Sequence, residues 1–110
     1  MNTKIRKLCN SFPIQLFVTG EGIEQHCQQY CNTVGLCVTV TETNYIYSGG
    51  SEKGYIIGLI NYPRFPKEEF SLFRLAEDLG FFLLKNCNPS GSFTLQDPSF
   101  TYFYSNREGD

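Results

Sequence analysis

Tyr55-Ile56-Ile57-Gly58-Leu59-Ile60-Asn61-Tyr62-Pro63-Arg64-Phe65-Pro66 is the stretch on which the fold turns. Hydrophobicity is continuous over positions 55–60, the pattern of a central strand covered on both faces. Pro63 and Pro66 have no amide hydrogen to give a sheet ladder, so the strand must end before them. They bracket Arg64 and Phe65 in a stiff, extended segment beside Tyr62. An arginine between two aromatic residues on a rigid connection is a candidate recognition element.

Working outward, residues 14–19 form a first strand closed by Gly20 and Gly22, with Thr19 as a candidate helix cap. A helix over about 21–33 follows, with Ile23, Cys27, Tyr30, Cys31 and Val34 on one face and Gly35 as its stop. Residues 36–41 alternate apolar side chains with threonine and cysteine, as a half-covered strand does. Glu42-Thr43-Asn44 reads as a tight connection to a further strand at Tyr45-Ile46-Tyr47, and Gly49-Gly50-Ser51 as a hairpin turn. Downstream, Pro66, Glu68 and Glu69 suit the first turn of a second helix. Leu72, Leu75, Ala76, Leu79 and Leu83 form its buried stripe, and Lys67, Arg74, Asp78 and Lys85 its outer side. Residues 93–96 and 100–104 make a last hairpin turned at Asp97-Pro98, between a polar lead-in over 1–12 and a polar tail over 105–110.

This β-α-β-β-β-α-β-β order describes a single α+β domain over 1–110, an antiparallel or mixed sheet with both helices packed on one face. Its core resembles the ferredoxin-like split βαβ arrangement with added strands.

Composition bounds the function. With 110 residues, 41% apolar and 18% charged, the chain is globular and large enough for one core. Ten Phe and seven Tyr are too many rings for the core alone, so some tyrosines belong at a rim, an interface or a ligand wall. A net charge of −2 argues against duplex nucleic acid as a partner. The basic cluster Lys4, Arg6 and Lys7 is followed by Leu8-Cys9-Asn10-Ser11-Phe12-Pro13, which is no secretion signal, and no run spans a membrane. Five cysteines at irregular spacing read as reduced thiols in a cytoplasmic setting.

Several constellations compete. Gly20-Glu21-Gly22 after a strand and before a helix, with Glu42 further on, resembles the dinucleotide-binding fingerprint; Gln25 in place of the third glycine and the charge of Glu21 favour a capped turn instead. Leu16-Phe17-Val18-Thr19-Gly20 and Lys53-Gly54-Tyr55 resemble the two short motifs of RNA-recognition-motif domains, a likeness that implies base stacking on Phe17 and Tyr55. The second motif departs from the family at Ile56, Ile57 and Ile60. His26, Cys27 and Cys31 share one helix but lack the knuckle spacing of a zinc site, so no metal or other cofactor is expected. Glu68, Glu69, Glu77 and Asp78 look solvated, with Arg74 and Asp78 as a helix-surface pair, and no carboxylate is set apart as an acid or base.

What remains is an aromatic and arginine surface: Arg64, Tyr62 and Phe65 on the turn, Tyr45 and Tyr47 on one strand, Tyr102 and Tyr104 on another, and His26 at the edge of the first helix. Rings to stack a planar group and a guanidinium to grip an anion describe capture of a small anionic or nucleotide-like ligand. Since each catalytic set lacks a member, the expectation is a non-enzymatic binding module, a homo-oligomer with the pocket at a subunit interface. The alternative is an inhibitor or adaptor that meets a protein partner through its tyrosines, of the type viruses and mobile elements use against host systems.

Overall fold

The computed structural model describes residues 4–107 and 109. In them the order is β1 (Ile14–Val18), α1 (Ile23–Val34), β2 (Thr39–Tyr47), β3 (Gly50–Leu59), α2 (Glu69–Cys87), β4 (Ser92–Gln96) and β5 (Thr101–Ser105). The first three residues of the expected lead-in and positions 108 and 110 of the expected tail lie outside the described residues. The strands form one antiparallel sheet in the order β2-β3-β1-β4-β5. The first four in that order are the ferredoxin-like core, and β5 extends it through a hairpin. This is the expected α+β class.

β3 corrects the reading of a strand covered on both faces. Its register against β1 sets Leu59 opposite Ile14 and Ile57 opposite Leu16, all buried, whereas Gly58 faces Gln15 and Ile56 faces Phe17 on the other side. Ile60 is 48% exposed. The helices contact each other, and α2 packs on β1 and β4. Ile14, Leu16, Val18, Ile57, Leu59, Phe93 and Leu95 meet Ile23, Cys27, Leu72, Ala76, Leu79 and Leu83 in one core. Each such aliphatic or aromatic side chain contributes roughly 1.5–3 kcal/mol of transfer free energy. Among the described residues no helix packs on the other face of the sheet.

β2 runs unbroken through Glu42-Thr43-Asn44, so six expected strands become five. All nine of its residues pair with β3, from Thr39 opposite Gly58 to Tyr47 opposite Gly50. Polar residues read as a turn are here the distal part of a ribbon, where side chains on both faces meet water. That ribbon helps make the molecule long, 59 × 29 × 26 Å.

Of the helix ends, the start of α1 differs from expectation. Thr19 is not the cap of α1; Gly22, at φ 78°, takes that place without any side-chain bond, and Thr19 Oγ1 accepts from Asn88 Nδ2 at 3.0 Å. Gly35 ends the helix at φ 71°, its N–H bonded to Cys31 O, as a left-handed C-terminal residue does. α2 begins at Glu69, its first-turn carboxylate beside the positive helix pole. Arg74 pairs with Glu77 at 3.7 Å, not with Asp78.

Candidate active site

Asn61 organises the site. It follows β3, is the buried polar residue of the described core (8% exposed), and makes three contacts. Its Nδ2 donates to Asn10 O at 2.9 Å, its Oδ1 accepts the Lys67 N–H at 2.8 Å, and its carbonyl accepts the Cys9 thiol at 3.3 Å. One amide thus ties the incoming chain at 9–10 to the connection before α2. Between those ties the chain is a tight turn, closed by Phe65 N–H to Tyr62 O at 2.9 Å, and not the extended segment expected. Pro63 sits where its fixed φ favours such a turn.

The turn lines one of two cavities that share Asn61 and Lys67. The first, about 540 Å³, is walled by Leu36, Ile60, Tyr62, Phe65 and Leu72, with Arg64 and Lys67 as its charged lining. Arg64 extends over the Phe65 ring, its guanidinium carbon 5.5 Å from the centroid. Cys37, also on the lining, donates its thiol to the Tyr62 hydroxyl at 3.3 Å. That pairing, with burial second, raises the Tyr62 pKa above the ordinary phenol value and keeps it protonated. The second cavity, about 850 Å³, is polar on one side, where Glu68, Glu69 and Ser11 face the buried Phe12. A volume of several hundred Å³ with apolar walls and few polar groups is what a small-molecule site offers. A further concavity of about 540 Å³ by Gly22, Glu24, Gln28, Glu42 and Tyr55 lacks such apolar walls.

The eight sequence candidates fall into separate groups. Tyr62, Arg64 and Phe65 share the apolar cavity. Tyr45 lies on the outer sheet face, its hydroxyl 2.7 Å from Tyr55 O and 3.3 Å from Val18 O, while its ring covers Gly54. Tyr47 is exposed on the distal ribbon. Tyr102 and Tyr104 face α2: Tyr104 stacks on Phe93 at 4.5 Å and donates to Glu77 Oε2 at 2.7 Å, and Tyr102 meets Phe73 edge-on at 5.1 Å. His26 Nδ1 lies 2.8 Å from Gly22 O, which can only accept, so that nitrogen carries its proton and donates. The Cys87 sulfur, 3.6 Å from the same nitrogen, therefore meets no lone pair able to activate it.

The remaining constellations disperse as well. Phe17 and Tyr55 stand on opposite sheet faces, since Phe17 is opposite Ile56 while Tyr55 pairs with the inward Val18; two such residues cannot stack neighbouring bases. Burial pushes the Cys27 thiol up to about 12, so it stays protonated. Among the described residues no group of three metal-ligating side chains converges. Sequence reasoning missed Leu36, Cys37, Asn61 and the cavity role of Glu68 and Glu69. Asn61 carried a signal: a lone amide closing an apolar run just before a proline turn.

No family model matches the chain, and no curated protein matches it in sequence. Solved structures do. A phage SAM lyase in its apo state superimposes with a TM-score of 0.70 at 11% identity, over 98% of this chain and 100% of that one. A phage SAM lyase in complex with S-methyl-5′-thioadenosine gives 0.65 at 12% identity, over 99% and 100%. These likenesses establish the shared fold. They also correct the expectation of a non-enzymatic binder or protein inhibitor, which rested on the absence of a familiar catalytic set: an enzyme is built on this fold at this length, end to end.

Proposed function

We propose that the chain is an S-adenosylmethionine lyase working at the paired cavities around the 62–65 turn. The end-to-end likeness to a phage SAM lyase carries the proposal. The apolar cavity supports it, being of a size to hold a nucleoside thioether against Tyr62, Phe65 and Leu36. The neighbouring cavity, which shares Asn61 and Lys67, adds Glu68 and Glu69 to the lining, negative charge that a sulfonium can face.

The reaction breaks the bond between the sulfonium sulfur and the γ-carbon of the methionine portion. The bond pair stays on sulfur, which becomes the neutral thioether S-methyl-5′-thioadenosine. No water is added, so the four-carbon fragment completes its γ-carbon either by loss of a β-proton to a carboxylate such as Glu68 or Glu69, or by attack of its own carboxylate to form a lactone. Charge disperses as the bond breaks, and apolar walls disfavour the compact sulfonium more than the spread charge of the transition state. The chain need supply no nucleophile, which fits a site without an activated thiol or hydroxyl.

The five free thiols support a reducing, cytoplasmic setting. The test is incubation of the purified protein with S-adenosylmethionine, followed by chromatography. S-methyl-5′-thioadenosine is expected to appear in step with substrate loss; substrate that persists as in buffer alone overturns the proposal.

A further inference from the structure

We infer that Arg64 is the carboxylate clamp of this site, selecting nucleoside thioethers and sulfonium compounds that carry an amino-acid tail. The inference rests on the lyase reading for the nucleoside part and on the turn itself for the carboxylate. Arg64 lines an otherwise apolar cavity and has no ion-pair partner among the described residues, whereas Arg74 is paired with Glu77. An exposed arginine at the rim of apolar walls, with no described carboxylate of the chain upon it, is open to an anion brought by the ligand. Two features hold it ready. The turn fixes its backbone through Pro63 and the Phe65-to-Tyr62 bond, and the Phe65 ring lies under the guanidinium at 5.5 Å. A stacked guanidinium loses little further freedom when its planar fork meets a carboxylate in two parallel bonds. Lys67, the other cation on the lining, has its backbone N–H committed to Asn61 and offers only a point charge.

The two cavities then differ in their charged lining, although Lys67 belongs to both. Arg64 faces the apolar cavity, and Glu68 and Glu69 line the neighbouring one. A ligand with a cationic sulfur and a tail that ends in a carboxylate beside its α-ammonium can use both kinds of charge, and neutral S-methyl-5′-thioadenosine matches only the apolar part. Arg64 thereby separates substrate from product: the tail that it holds is the one that cleavage removes.

Calorimetric titration of Arg64→Ala and Arg64→Lys with three stable ligands tests this. S-adenosylhomocysteine keeps the carboxylate, S-methyl-5′-thioadenosine lacks it, and adenosine 5′-monophosphate carries phosphate instead. Arg64→Ala is expected to weaken S-adenosylhomocysteine about tenfold or more, the loss of a charged hydrogen bond. It should leave S-methyl-5′-thioadenosine unchanged, and Arg64→Lys should recover only part of the loss. Equal weakening of both thioethers, or of neither, overturns the clamp while leaving the lyase reading standing. Dependence of the monophosphate on Arg64 as strong as that of S-adenosylhomocysteine overturns the carboxylate preference. An unaltered chain that binds neither thioether overturns the lyase reading and this inference together.

Discussion

At the scale of single residues, Asn61 does what no apolar residue could do in its place. It joins two segments that the sequence separates by 51 positions and the turn that follows. Asn61→Ala leaves the Lys67 N–H and the Asn10 carbonyl without their partner. The expected loss is roughly 1–3 kcal/mol, read as a fall in thermal midpoint of several degrees for a chain of this size. A midpoint equal to that of the unaltered protein would mean that water replaces the amide and that the turn is held otherwise. The tyrosines show the limit of reading residues singly. Seven of them promised a wall of rings, but Tyr45 and Tyr104 spend their hydroxyls on Tyr55 O and Glu77, inside the fold. A buried phenol finds a partner wherever one is near, and which partner is near depends on register.

At the scale of elements, periodicity carried the helices, and chemistry carried the Gly35 stop of α1 but not its start. The stripe of α2 is legible because Leu72, Ala76, Leu79 and Leu83 recur at helical spacing, and these four are buried. Gly80 is less legible: it looks like a helix defect, yet a side chain there would strike the Phe93 ring. Gly80→Ala therefore gains roughly 1 kcal/mol of helix propensity and loses about 1–3 kcal/mol to overpacking. The expected net result is a lower unfolding midpoint in a thermal melt. A higher one would show that the Phe93 ring moves aside freely, against its stacking on Tyr104. The strands were harder. Glu42-Thr43-Asn44 read as a turn because polar runs usually are, but in a two-stranded ribbon no face demands apolar residues. β3 misled in the opposite sense: Ile56 is apolar without being fully covered, because no described helix packs on the outer face of the sheet.

At the scale of the whole molecule, the class of fold was open to the sequence and the site only in part. Pro63, Arg64 and Phe65 announced a rigid turn, since proline geometry is local. The cavity behind it was not announced, because its walls come from the end of α1, the exit of β3 and the first turns of α2. The proposed lyase reaction would also leave little mark in the residues: the sulfonium sulfur keeps the bond pair and is neutralised as its bond to carbon breaks, so the chain supplies no nucleophilic set. The most direct test is to map where S-methyl-5′-thioadenosine binds, by backbone amide shifts during titration of the labelled protein. The account predicts that the largest shifts fall on Leu36, Cys37, Tyr62 and Phe65. Shifts centred on Gly22, Glu24, Glu42 and Tyr55 would contradict it and move the site to the other end of the helical face.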